Sequence, residues 1–256
     1  MTMSLLNQLV ENKKVNRKSL AILIDPDKVE DSSSLIQTIH LCTENKVDFL
    51  FVGGSLITND NFSKVISIIK SNTNIPVLIF PGNNIQIDSN ADAILLLSLI
   101  SGRNPDFLIG QHVLAAPILK KSKLEIIPMG YMLVNSGPAT SASYMSNTTP
   151  IPSDKPTIAA CTAMAGEMLG LRTIYLDAGS GAQKAIPQKI ISTVSRSISV
   201  PLVVGGGLNS ISKVGLALEA GADMVVIGNA LENDYSLLIE ASDKINSMNA
   251  TLDIHQ

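Results

Sequence analysis

Residues 175–181 read Tyr175-Leu176-Asp177-Ala178-Gly179-Ser180-Gly181, and an apolar, β-branched run leads into them from position 172. That pattern is a buried strand giving way to a loop. The same transition recurs twice at strand spacing, where 201–204 runs into Gly205-Gly206-Gly207 and 224–227 runs into Gly228-Asn229. Glycines at strand ends let backbone N–H groups close in on a ligand, and the N-terminus of the next helix favours an anion. Three such turns from successive strands would converge on one phosphate.

Outward from these turns, continuous Val/Ile/Leu-rich runs occupy 20–25, 49–53, 75–80, 93–97, 126–134, 172–177, 201–204 and 224–227. Helical spacing occupies 32–45, 61–71, 158–169, 187–197, 210–220 and 234–248. Parallel strands buried on both faces and alternating with helices predict a single-domain (β/α)8 TIM barrel over residues 1–256. Ligands in such barrels bind at the C-terminal strand ends, with phosphate held by the loops after strands seven and eight, where Gly205, Gly206, Gly228 and Asn229 fall. The barrel is expected to be modified around strands four and five. Gly102, Pro105, Gly110 and Pro117 break the helical signal between them, and 135–156 reads as a long ordered loop or a lid over the mouth.

The bulk composition narrows the function. Of the 256 residues, 45% are hydrophobic and 16% charged, with a net charge of −3. With a pI near 5.6 there is no basic field to attract nucleic acid. Cys42 and Cys161 are too isolated for a disulfide framework or a thiolate zinc site, which makes the cytoplasm the default compartment. His40, His112 and His255 lack metal-binding spacing. Residues 1–14 are too weakly apolar for a signal peptide, and no apolar run reaches transmembrane length. The mean hydropathy is nonetheless +0.28, so part of the apolar weight is expected to line a groove.

Several polar residues fall where the active face should be. Asp25 ends strand one, where a carboxylate suits Mg²⁺, a cation that takes few protein oxygens and leaves room for substrate phosphates. Asp27, two residues on, reads equally well as a helix cap. Ser55 follows Gly53 and Gly54 at the end of strand two, as a metal or diphosphate ligand, an N-cap, or both. Asn83 is either a loop-stabilising residue or a ligand contact. Asp177 ends strand six, a place suited to a general base. The 205–210 glycines superficially resemble a dinucleotide fingerprint, but a seventh-strand position without the third glycine excludes it. No lysine interrupts a strand core, which argues against a Schiff-base aldolase.

Taken in order, Asp25-Pro26-Asp27-Lys28, Gly53-Gly54-Ser55, Pro81-Gly82-Asn83, Ser101-Gly102-Arg103-Asn104, the 175–181 segment, Gly205-Gly206 and Gly228-Asn229 resemble geranylgeranylglyceryl phosphate synthases. The resemblance is to the subgroup with Ala-Gly-Ser-Gly after strand six, and it runs over nearly the whole chain. It implies a prenyltransferase that joins a polyprenyl diphosphate to the 3-hydroxyl of sn-glycerol 1-phosphate and releases diphosphate. It also implies Mg²⁺ on Asp25 and Ser55. The glycerol phosphate site would comprise Tyr175, Leu176, Asp177, Ala178, Gly179, Ser180, Gly181, Gly205, Gly206, Gly228 and Asn229, with Asp25 and Asp177 catalytic. Such relatives form homo-oligomers, and release of a lipid product implies peripheral membrane contact. One departure is Asp177, where the family more often has Glu. The regions 94–100 and 129–134 are candidate walls for the prenyl tail. Other phosphate-anchored barrels share such loops, so an isomerase, a flavin mononucleotide oxidoreductase and a non-catalytic phosphometabolite-binding barrel remain the alternatives.

Overall fold

Short strands that are apolar on both faces fit a sheet held between a filled interior and an outer layer of helices. In the computed structural model, which describes residues 3–228 and 235–253, eight strands close into a barrel in sequence order. They are β1 (Ser19–Ile24), β2 (Phe49–Gly53), β3 (Val77–Phe80), β4 (Ala93–Leu99), β5 (Glu125–Leu133), β6 (Thr173–Asp177), β7 (Leu202–Gly205) and β8 (Met224–Ile227). Every neighbouring pair is parallel, including β1 with β8. The expected (β/α)8 barrel is therefore the observed fold.

The two-residue period of each strand sorts its side chains into two layers. Ala21, Phe49, Phe51, Leu78, Leu95 and Met129 fill the interior. Leu20, Ile22, Leu50, Val52 and Ile79 face the helices. The helices are α1 (Leu5–Lys14), α2 (Ser32–Glu44), α3 (Phe62–Asn72), α4 (Gln111–Lys121), α5 (Ser141–Ser146), α6 (Pro156–Met168), α7 (Gln188–Ser197), α8 (Ile211–Glu219) and α9 (Ser236–Asp253).

Helix α1, not foreseen from the sequence, packs Leu5, Leu6 and Leu9 against the interior cluster. Its first N–H groups would otherwise lack partners. The Glu125 carboxylate, at the start of β5, accepts from Leu5 N and Leu6 N at 2.8 Å each. That pins α1 at the N-terminal end of the strands and leaves the opposite end as the mouth.

The departures around strands four and five take a different form from the one expected. The 98–124 segment is not broken: a π-helical turn (Asp106–Gly110) runs directly into α4, which accommodates Pro117 within it. The loop after β5 carries α5, whose start is held by a reciprocal Thr140–Ser143 capping box. A further departure lies between β3 and β4, where residues 81–92 contain no helix. Residues of α4 line the resulting gap in the outer layer.

Candidate active site

The C-terminal strand ends surround a cavity of about 370 Å³ lined by Asp25, Ser55, Tyr175, Asp177, Ser180 and Gly206, among others. Gly179, Gly181 and Gly228 line it too. Residues that the sequence scatters over two hundred positions thus meet at one mouth. Asn229 lies outside the described residues.

Three of the expected residues do not face the cavity, for reasons of strand geometry. Tyr175 and Asp177 point inward on β6, so the intervening Leu176 points outward and is fully buried in the helix-facing core. Ala178 packs into that same layer. Gly205 lies beneath the cavity and leaves room for a neighbour: a side chain there would occupy the place of the Tyr175 hydroxyl.

Asp177 is the most constrained polar group of the site. It is 6% exposed, and its Oδ1 accepts from Gly179 N at 2.7 Å while its Oδ2 accepts from the Tyr131 hydroxyl. Burial pushes its pKa up, and these two hydrogen bonds pull against that shift without cancelling it. Burial, followed by the Asp177 charge, pushes the Tyr131 and Tyr175 phenols well above their ordinary values. Both therefore stay neutral, and Tyr131 is a donor.

Gly206 completes the cradle. Its φ of +78° lies in the left-handed region, and a Cβ there would sit 2.5 Å from Asp177 Oδ1 and 2.7 Å from Ala178 N. Only glycine meets both conditions. Gly179, at φ +93°, turns its N–H onto Asp177. The loop that carries Gly206 leads into α8, whose first turn is capped by Ser210 Oγ accepting from Lys213 N.

On the opposite side of the mouth, Asp25 follows β1 and caps the short 3-10 turn Pro26–Lys28, accepting from Asp27 N at 3.1 Å. Its neighbour Gly54 keeps the flank of that carboxylate open, because a Cβ there would lie 3.3 Å away. Asp27 is not a cap. Its carboxylate ties down the loop after β2, accepting from Thr58 N and Thr58 Oγ1 at 2.8 Å and from Asn59 N at 3.3 Å. The Asn83 side chain stabilises its own loop by accepting from Ile85 N at 3.0 Å.

A second, mostly apolar recess opens beside the mouth, in the outer-layer gap between β3 and β4. Phe80, Ile94, Leu96, Phe107, Ala115 and Leu119 line it. The 94–100 region thus supplies a wall, whereas Tyr131 alone of 129–134 reaches it. Gly54, Ser55, Phe80 and Tyr131 border both spaces, so the polar cavity and the apolar groove share a seam. The sequence reading missed Phe80 as a site residue and had Tyr131 only within the 129–134 wall, not as a partner of Asp177. The signal was available in β5 alternation, since Tyr131 is the register partner of Tyr175.

The model of the PcrB family matches residues 12–250 of this chain. The geranylgeranylglyceryl phosphate synthase of Spirosoma linguale is 52% identical over 95% of this chain and 98% of its own length. That of Chitinophaga pinensis is 49% identical over 94% and 95%. Among solved structures, the (S)-3-O-geranylgeranylglyceryl phosphate synthase of Thermoplasma acidophilum, in complex with its substrate sn-glycerol-1-phosphate, superposes with a TM-score of 0.89. It is 29% identical over 95% of this chain and 99% of that one.

Proposed function

This chain belongs to the PcrB family, and we propose that it joins a polyprenyl diphosphate to the 3-hydroxyl of sn-glycerol 1-phosphate. One observation carries the reading: a glycine-cradled polar cavity opens through a common seam into an apolar groove. A phosphorylated acceptor fits the first space and a prenyl tail the second. The two reacting atoms would meet at the seam.

The acceptor's phosphate belongs among the backbone N–H groups of the loops after β6 and β7. Its hydroxyl then faces Asp177. The allylic C–O bond of the donor breaks, the acceptor oxygen forms the new C–O bond, and Asp177 takes the hydroxyl proton while diphosphate departs. Holding both partners in one orientation removes much of the entropic barrier. The apolar walls strip water from the developing allylic cation.

The donor set at Asp25 and Ser55 fits Mg²⁺. It offers one carboxylate, with its flank kept open by Gly54, and one hydroxyl, and a hard cation fills its remaining positions with phosphate oxygens and water. Among the described residues, no three His, Cys, Asp or Glu side chains gather as a richer metal cage would require. Bound there, Mg²⁺ would supply Lewis-acid neutralisation of the leaving diphosphate.

Incubation with geranylgeranyl diphosphate, Mg²⁺ and either glycerol phosphate enantiomer tests the reading. Ether product is expected with sn-glycerol 1-phosphate and not with its mirror image. No product with any prenyl length would sink it. Asp25→Ala should abolish turnover while calorimetry still registers glycerol phosphate binding, whereas loss of both would make Asp25 structural. No helix among the described residues is long and apolar enough to cross a membrane, so any membrane contact in this scheme is peripheral. The same proposal includes a cytoplasmic homo-oligomer, which light scattering on the purified chain would check.

A further inference from the structure

Tyr131 occupies a position that substrate binding alone does not explain. Its hydroxyl donates to Oδ2 of Asp177 and the N–H of Gly179 donates to Oδ1, so anchors from two different segments fix the plane of the carboxylate. The ring cannot easily drift. It packs edge-on against Phe80 with centroids 5.8 Å apart and against Tyr175 at 5.6 Å, while Phe80 and Tyr175 stack at 5.3 Å. Tyr131 also borders both the cavity and the groove, where the acceptor hydroxyl and the prenyl carbon must come together. A short aspartate has few rotamers of its own, so its aim is set by whatever it is bonded to. Space beside Oδ1 is kept by Gly206.

We propose that Tyr131 is the positioning residue for the base: its hydroxyl aims the Asp177 carboxylate at the acceptor hydroxyl from the seam between the two subsites. The inference rests on the transfer reaction proposed above. Aspartate placed deep on β6 can serve there because Tyr131 on β5, in register with Tyr175 two residues before Asp177, donates its hydroxyl to Oδ2. The phenol stays protonated and takes no proton from substrate. It acts only through Asp177.

Among the described residues, the titratable groups around this carboxylate are Tyr131 from β5, Tyr175 from β6 and, across the cavity, Asp25 after β1. The Tyr131 hydrogen bond favours the ionised form of Asp177, so deleting it leaves the carboxyl harder to ionise. A general base works only when ionised. Its acid limb must then move to higher pH.

Tyr131→Phe keeps the ring and removes the hydroxyl. The expected result is a fall in kcat of about 10–100-fold, the cost of a misaimed reacting group. KM for both substrates should stay within about threefold, because neither phosphate nor tail is contacted by the lost atom. The acid limb of kcat should rise, and so should the titration of the Asp177 carboxyl followed by carbon NMR, which needs no turnover. In an Asp177→Asn background the same substitution should have no further effect on kcat, since the role runs through that carboxylate. An active wild type whose limb and carboxyl titration are unmoved by Tyr131→Phe overturns this role alone. So does a double variant in which the two losses simply add. A wild type that makes no ether overturns the transfer reading itself.

Discussion

The loops after β6 and β7 hold their part of the site with backbone, whereas β3, β4 and α4 hold theirs with apolar surface. In the first region a few atoms carry everything. Gly206 fits because nothing larger can, and Asp177 has both oxygens committed. In the second, the wall is shared among many interchangeable contacts such as Ile94, Leu96, Ala115 and Leu119, none of which is singled out by its chemistry. Recognition of a phosphate and a proton demands fixed donors, while recognition of a tail demands only a dry surface of the right shape. The two regions should therefore break differently.

The sharpest break is expected at Asp177. Asp177→Asn should lower kcat by about 10³-fold, within the range assigned to a positioned base. It should also stabilise the fold at neutral pH. Burial raises the carboxyl pKa in the folded chain, so between the unfolded and the raised folded value the folded state binds more protons than the unfolded one. Stability therefore falls as pH climbs through that window, and above it the buried charge is a net cost. The amide carries no charge and can still pair with Tyr131 and Gly179. A variant that loses activity and melts higher would mark this region as built for function. A lower melting temperature at neutral pH would contradict that account.

Next in size is Gly206→Ala. The methyl group meets Asp177 Oδ1 and Ala178 N, and φ of +78° adds backbone strain of about 1–3 kcal/mol. Affinity for glycerol phosphate by calorimetry should fall about 100-fold, as fits a cradle in which a 1 Å displacement is costly. Undiminished affinity would show that the loop has slack and would erase the contrast with the groove.

The same contrast explains what was legible in the sequence. β2 and β8 were foreseen to the residue because uninterrupted apolar runs ending in glycine leave no other reading. The polar half of the site was visible for a related reason: Asp177, Gly179 and Gly206 stand at strand ends, where position implies direction. The groove was not visible in detail. Ile94 and Leu96 line it while Leu50 and Ile79 pack the core, and no property of a single leucine separates the two. Its opening depends on a missing helix at 81–92, which is a tertiary vacancy with no motif of its own. The broken-helix reading of 98–124 failed because a π turn absorbs the irregular residues before α4, and Pro117 is tolerated within it.

Groove substitutions should be graded where cradle substitutions are abrupt. Ala115→Phe fills part of the wall near Leu119, so the tail loses room. Each buried methylene displaced costs about 0.8 kcal/mol, so the loss of one or two puts kcat/KM for the twenty-carbon donor about tenfold lower. Shorter donors should be affected less. Equal loss for every length would mean that the tail does not lie along α4.

The smallest expected effect comes from the histidine in the groove wall. His112 contacts Ser98 Oγ through Nε2 at 3.0 Å. Burial lowers its pKa, with an opposing contribution from the Leu97 backbone, so it is neutral around pH 7. No charged side chain among the described residues lines the groove to offset a protonated ring. Protonation would place an unpaired charge where the tail should lie. KM for the prenyl donor should thus be flat through neutral pH and rise a few-fold only below the ordinary histidine value of about 6.5. The Asp177 limb appears in kcat instead, so one pH series separates the two regions. His112→Gln can retain a hydrogen bond to Ser98 and should abolish the rise in KM while leaving the kcat limb in place. A rise that survives this substitution would take the pH sensitivity out of the groove and return it to the polar half of the site.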